Sequence, residues 1–296
     1  MIWLIGNRGM LGTEVENRLT TSGIDHVSTD HLECDITNFD AVISSAREFQ
    51  PTCIVNCSAY TNVDQAEVDE KIALSVNALG VEHVAKAANA VGSGVIHVST
   101  DYVFDGRARD PYVEETPMNP LGAYGRTKAE GERRLRAGTR RSTIIRTAWL
   151  YGPYGKNFVA TMLRLFAERN GISVVSDQRG SPTYAADLAN LICHVAEMMD
   201  SGRSDLFGTY HFTNSGETTW YDFAREIQRQ SSSIGITDLK CEIRPISSDE
   251  YPTAAARPNY SVLSHKKLSG VFPEHIRPWQ IALSDYFESI AGPEEQ

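Results

Sequence analysis

Ile2-Trp3-Leu4-Ile5-Gly6-Asn7-Arg8-Gly9-Met10-Leu11-Gly12 carries four apolar residues into a turn with three glycines at GxxGxxG spacing. The apolar run reads as a strand and the periodicity of Met10–Thr21 as a helix, so the glycines fall at a strand-to-helix junction. Glycine there permits a tight turn and close backbone approach, and the free N–H groups of the first helical turn attract a diphosphate. The stretch therefore predicts the first βα unit of a dinucleotide-binding sheet, with Gly6, Asn7, Arg8, Gly9, Met10, Leu11 and Gly12 against the cofactor.

Outward from that unit, short apolar runs alternate with amphipathic segments. Strands are predicted at Ile2–Ile5, His26–Thr29, Cys53–Asn56, Val95–Ser99 and Thr143–Arg146, and helices at Met10–Thr21, Phe39–Phe49, Glu67–Val91 and Tyr124–Arg136. Strands joined by crossover helices make a parallel sheet covered on both faces. The fold class is α/β: a Rossmann-like doubly wound parallel sheet over residues 1–150, with a smaller C-terminal substrate lobe over 151–296, some segments of which return to the first domain. In that lobe helices are expected at Asn157–Arg169, Ala186–Met199, Trp220–Gln230 and Trp279–Ile290, short strands near Ile172–Val175 and Tyr210–Phe212, and loops with small strands over Ser231–Arg257.

A chain of 296 residues with 41% hydrophobic and 22% charged residues suits a globular protein. A net charge of -10 disfavours nucleic acid as partner, since phosphate-backbone binding rests on clustered Lys and Arg. No apolar run reaches the roughly 18 to 20 residues of a membrane span. The opening apolar residues also stop too soon for a signal-peptide core, so no membrane association and a cytoplasmic location are expected. The five cysteines form no CxxC pair and read as reduced thiols.

Further cofactor contacts follow from the strand ends. Asp30 closes the second strand, where a carboxylate holds an adenosine ribose and repels a 2'-phosphate, whereas Arg8 would attract that phosphate; NADH and NADPH both stay open. Asp35 and Ile36 lie beyond, with the carboxylate able to accept from the adenine amine. Ala59, Tyr60 and Thr61 follow the third strand and Asn77 sits in the next helix. After the fourth strand comes Ser99-Thr100-Asp101-Tyr102-Val103-Phe104-Asp105-Gly106, then Tyr124-Gly125-Arg126-Thr127-Lys128. Four-residue spacing puts Tyr124 and Lys128 on one helical face, where an ammonium favours phenolate and lowers the phenol's pKa toward neutrality.

GxxGxxG, STDYVFDG, YGRTKAEGE, RTAWLYG, NFVATMLRL, VVSDQRGSPTYAADLA and AARPNYSVL together resemble the dTDP-4-dehydrorhamnose reductase family of extended short-chain dehydrogenases, over nearly the whole chain. The resemblance implies NAD(P)H reduction of a dTDP-sugar ketone. It makes Tyr124 the general acid, Lys128 its tuner and a ribose ligand, Thr100 the hydroxyl on the substrate carbonyl, and Ser99 a cofactor contact. It sets Asp101, Tyr102, Trp149, Asn157, Phe158, Gln178, Pro182, Thr183 and Arg257 toward the substrate. Sugar-nucleotide dehydratases resemble Thr-Asp-Glu where this chain has Tyr102, which favours reduction over elimination of water. The resemblance also implies a homodimer and a Mg2+ near Glu14, although no His or carboxylate cluster has metal-site spacing and the site residues include no metal ligand. Two alternatives stand: another nucleotide-sugar ketoreductase or epimerase, and a non-catalytic NADP-binding regulatory subunit like that of methionine adenosyltransferase.

Overall fold

All four residues of strand β1 (Ile2–Ile5) are buried, and they alternate between two cores. Ile2 and Leu4 join one apolar cluster with Leu11, Val15 and Leu19, while Trp3 and Ile5 join another with Val42, Ala46 and Val84. Helices must therefore cover both faces of the sheet to which β1 belongs.

The computed structural model describes residues 1–291 and has this arrangement. After β1 come α1 (Met10–Thr21), β2 (His26–Thr29), α2 (Phe39–Phe49), β3 (Cys53–Asn56), α3 (Glu70–Leu74), α4 (Val81–Val91), β4 (Gly94–Thr100), α5 (Ala123–Gly138) and β5 (Ser142–Thr147). The chain continues through β6 (Leu150–Tyr151), α6 (Phe158–Glu168), β7 (Gly171–Val175), β8 (Arg179–Gly180), β9 (Thr183–Tyr184), α7 (Ala185–Asp200) and β10 (Gly208–His211). It ends with β11 (Thr218–Thr219), α8 (Trp220–Ser233), β12 (Glu242–Ile246), α9 (Lys266–Ser269) and α10 (Trp279–Ala291).

Six strands form one parallel sheet in the order β10-β5-β4-β3-β1-β2. The winding reverses between β1 and β3, and the ends of neighbouring strands on either side of such a reversal splay into a crevice. The β10 strand and α7 lie late in the chain yet belong to this body: β10 pairs with β5, and Leu188, Leu191 and Ile192 of α7 pack with Leu11, Val15 and Leu19 of α1. A separate aromatic core, with Tyr151, Phe166, Phe223, Trp279 and Tyr286, holds α6, α8 and α10 together beside the sheet.

The single helix expected over Glu67–Val91 is instead a 3-10 turn at Gln65–Glu67, then α3, then a π-helical stretch at Ser75–Gly80 running into α4. The wider π turn coincides with Asn77, whose amide makes three tertiary hydrogen bonds. It accepts from the Tyr60 backbone N–H at 2.8 Å and donates to the Tyr60 carbonyl and the Thr127 hydroxyl, both at 3.1 Å.

Helix α5 is tied to the sheet by a buried ion pair. Arg146 of β5 donates twice to Glu132 of α5, each time at 2.8 Å, and Ser99 of β4 donates to the same carboxylate at 2.6 Å. Burial alone would raise the Glu132 carboxyl, but these donors and Arg136 hold it below its ordinary value. Removing one member of such a pair leaves the other charge buried and unmatched. Glu132→Gln is expected to lower unfolding stability at pH 7 by about 3–5 kcal/mol in urea titrations, and a loss below about 1 kcal/mol would show that the pair does not anchor the helix.

Candidate active site

Helix α1 follows Gly9 with no side-chain cap and no acidic residue in its first turn, so its leading N–H groups stay free for an anion. Gly6 has φ +85, and a Cβ at Gly12 would stand 1.9 Å from the Gly6 carbonyl oxygen, so only glycine lets the helix start this close to the loop. This turn has the free donors and the room that a diphosphate needs. It opens into a crevice of about 780 Å³ at the switch point of the sheet.

The crevice collects most of the residues expected at the cofactor: Gly6, Arg8, Gly9, Met10, Leu11, Gly12, Asp30, Asp35, Ile36, Ala59, Tyr60, Thr61, Ser99, Tyr124 and Lys128. Asn7 and Asn77 do not line it. The Asn7 side chain turns back to Glu16 of α1 at 3.1 Å, and Asn77 braces Tyr60 from behind. Arg8 is paired with Glu33 in the loop after β2, so a 2'-phosphate would compete with a carboxylate for that guanidinium. Lys156, in the loop before α6, also faces the crevice; it belongs to none of the motifs read in the sequence.

At the far end of the crevice stand Thr100, Asp101, Tyr102, Tyr124 and Lys128. Thr100 ends β4 and caps the following turn, accepting from the Tyr102 N–H at 3.2 Å and donating to the Asp101 carboxylate at 2.9 Å. Tyr124 and Lys128 rise from the first two turns of α5, one helical turn apart. Burial raises the Tyr124 phenol above its ordinary value, with the Thr100 hydroxyl acting in the opposite sense. This differs from the expectation that Lys128 lowers it. The Lys128 ammonium points at the Val98 carbonyl, 2.7 Å away, and burial pushes the amine itself down to about 8. A phenol that keeps its proton at neutral pH is suited to act as an acid.

A second hollow of about 880 Å³ adjoins the first, with Tyr102 in the wall of both. Of the residues assigned to substrate, Tyr102, Phe158, Gln178 and Arg257 line the second hollow, and Thr100, Asp101, Tyr102 and Trp149 line the first. Arg257 donates to the Tyr102 hydroxyl at 3.2 Å and to Asp64 at 2.6 Å, fastening the loop after β12 to the sheet. Asn157, Pro182 and Thr183 line neither hollow. Asn157 caps α6 through the Ala160 N–H, the Pro182 carbonyl accepts from Asn214, and the Thr183 hydroxyl bonds the Ala148 carbonyl. Trp220, read in the sequence only as a helix start, stacks on Trp149 at 3.5 Å and extends an aromatic wall to Phe158.

Among the described residues Glu14 gathers no second and third ligand. Among the described residues, one group of three His, Cys, Asp or Glu side chains brings donor atoms within reach of a shared ion, and it is His194, Glu274 and His275. No helix among them is long and apolar enough to cross a membrane.

A doubly wound sheet, an uncapped glycine cradle at its switch point and a Thr-Tyr-Lys constellation across the crevice define a nicotinamide-dependent reductase of the short-chain dehydrogenase type. The chain belongs to the dTDP-4-dehydrorhamnose reductase family: the family model described as RmlD substrate binding domain matches residues 1–291. The dTDP-4-dehydrorhamnose reductase of Aggregatibacter actinomycetemcomitans is 41% identical, over 95% of this chain and 96% of that one. A Streptomyces antibioticus protein named probable dTDP-4,6-dihydroxy-2-methyloxan-3-one 4-ketoreductase is 40% identical, over 99% of this chain and 97% of its own. The crystal structure of dTDP-4-dehydrorhamnose reductase from Bacillus anthracis in complex with NADP superposes with a TM-score of 0.91 at 37% identity, covering 97% of this chain and 98% of that chain.

Asp101 is buried, and burial pushes its carboxyl up to about 6 despite the Thr100 hydroxyl that donates to it. The folded state thus favours the neutral acid, so the Asp101 contribution to stability is lost as pH rises from about 4 to about 6 and stays lost above that. Asp101→Asn is expected to match wild type in thermal melts near pH 4 and to exceed it above pH 6 by about 3 kcal/mol. A stability difference independent of pH would remove the buried-acid assignment.

Proposed function

We propose that this protein reduces the 4-keto group of dTDP-4-dehydro-L-rhamnose to give dTDP-L-rhamnose, with NADPH or NADH as hydride donor. The observation that carries this reading is the convergence of Thr100, Tyr124 and Lys128 in the crevice that begins at the glycine cradle. A nicotinamide held in the crevice would supply the hydride. The chain's own residues supply the rest: Thr100 holds the carbonyl oxygen, and Tyr124 gives its phenolic proton to the alkoxide that forms when the carbonyl carbon is reduced. Lys128 then restores the proton to Tyr124.

The substrate side supports a nucleotide sugar. The second hollow contains Arg169, Arg244 and Arg257, cations fit for a diphosphate, beside Phe158 and Trp220 as flat apolar surface for a base. Tyr102 stands where elimination of water would need a carboxylic acid, and burial pushes its phenol up to about 12, so it stays neutral. A second reading, reduction of a different dTDP-linked 4-ketosugar, is favoured by the similarity to the Streptomyces antibioticus protein. A regulatory role without turnover is disfavoured by the intact Thr100, Tyr124 and Lys128.

Oxidation of NADPH and NADH followed at 340 nm with dTDP-, UDP- and GDP-linked 4-ketosugars tests the reading. Turnover on dTDP-4-dehydro-L-rhamnose exceeding the others is the expected outcome, and preference for another dTDP-sugar would transfer the protein to the second reading. Tyr124→Phe is expected to keep cofactor affinity while turnover falls by roughly two to four powers of ten. A near-normal rate would exclude Tyr124 as the acid. Because Lys128 must carry a proton to restore Tyr124, kcat/KM for reduction is expected to be level below pH 7 and to fall as pH rises through about 8. A profile flat to pH 10 would dissociate Lys128 from the proton path.

A further inference from the structure

Behind Lys128, a chain of three polar side chains runs through the sheet. Its members are Ser58, which lines the crevice, Asn56 at the end of β3 and His97 in β4; Asn56 and His97 have no exposure to solvent. The Asn56 carboxamide lies 3.3 Å from His97 Nδ1, and His97 Nε2 lies 3.4 Å from Lys128 Nζ.

The direction of these contacts follows from one fixed donor. The backbone N–H of Ser58 can only donate, so the Asn56 atom 3.1 Å from it is the carboxamide oxygen, which also accepts from the Ser58 hydroxyl at 2.6 Å. The other end of Asn56 is then its NH2, which donates to His97 Nδ1. Burial drives His97 well below its ordinary value, so the ring is neutral and its single proton sits on Nε2. That N–H faces Lys128. An ammonium has three N–H groups and no lone pair, whereas an amine offers a lone pair to accept the ring proton. The contact is therefore satisfied by the amine and opposed by the ammonium.

Few other groups balance this. On its own helix Lys128 has Glu132, whose charge is shared with Arg146 and Arg136, and the Tyr124 phenol, which is neutral. Beyond β3 it has Cys57, whose thiol burial pushes up to about 12 and so leaves uncharged. From β4 it has the Val98 carbonyl, which accepts from amine and ammonium alike, and His97.

We propose that His97 is a positioning residue of the reductase site, locked by Asn56 as the Nε2–H tautomer so that Lys128 surrenders and regains its proton in each turnover. This rests on the assignment of Tyr124 as the acid. Once Tyr124 has given up its proton, a Lys128 N–H bond breaks and the phenol O–H re-forms, which leaves the amine facing His97 Nε2–H. A proton from water then restores the ammonium.

The tautomer is read directly by 15N NMR of the histidine rings in the full chain without cofactor, with His97 assigned through its own backbone connectivity. Nε2 protonated and Nδ1 bare at pH 9 is the expected result; a proton on Nδ1, or an imidazolium, overturns the proposal. This readout needs no turnover, so it separates failure of the tautomer lock from failure of the reductase assignment. In kinetics, His97→Gln lets a carboxamide oxygen turn to Nζ and accept from the ammonium. The alkaline limb of kcat/KM is then expected to move up by about one pH unit, with kcat near pH 7 reduced about ten-fold and KM for the sugar within roughly two-fold of wild type. A limb that stays in place, or a KM that rises in step with the fall in kcat, overturns it.

Discussion

The Glu132 carboxylate, closed off from solvent and met by Arg146, Arg136 and Ser99, holds α5 against β4 and β5. Everything chemical in the crevice depends on that attachment, because α5 carries Tyr124 and Lys128 while β4 delivers Thr100. A side-chain displacement of about 1 Å from a productive geometry costs a large factor in rate, so a helix bearing two site residues needs a rigid fastening. An ion pair inside a sheet is expensive to desolvate, and its strength here comes from saturating both carboxylate oxygens with donors. The guanidinium carbon of Arg146 also lies over the Phe104 ring, 5.0 Å from its centre, which links the pair to the loop after β4.

From this fastening the site extends in two directions. Toward β1 the sheet's reversal of winding opens the crevice and the glycine loop supplies an anion cradle. Toward the C-terminal lobe, Arg257 bridges Tyr102 and Asp64 while Trp149 stacks on Trp220, so the second hollow is walled by residues from distant parts of the chain. Tyr102 belongs to both spaces and stands edge-on to Tyr124, with ring centres 5.5 Å apart. A substrate reaching from the second hollow would bring its carbonyl to the one place where a phenol, a hydroxyl and a cofactor site meet.

Local signals served well wherever a residue's role is set by its immediate neighbours. The strands of the first half lie within a residue or two of their predicted bounds, because fully buried parallel strands are short apolar runs flanked by turns. Spacing says less where a distant partner intervenes. Asn77, expected at the cofactor, braces Tyr60, since a π turn aims its amide inward. Asn157, expected at the substrate, caps α6, a role equally available to any Asn before a helix. His97 drew no notice as one polar residue within a strand, and Trp220 none as the first residue of a helix.

The amino-acid sequence by itself determined the α/β class, the glycine turn at the first strand-to-helix junction and the placing of Tyr124 and Lys128 on one helical face, because each depends on residues within a few positions of one another. Tertiary structure alone decided which late elements, β10 and α7, join the body of the first half, that Lys128 looks toward His97 and Val98, and that Tyr124 lies in surroundings that keep its proton. The physical reason is that burial and the choice of hydrogen-bond partner are properties of a three-dimensional neighbourhood. Neither can be read from spacing along the chain.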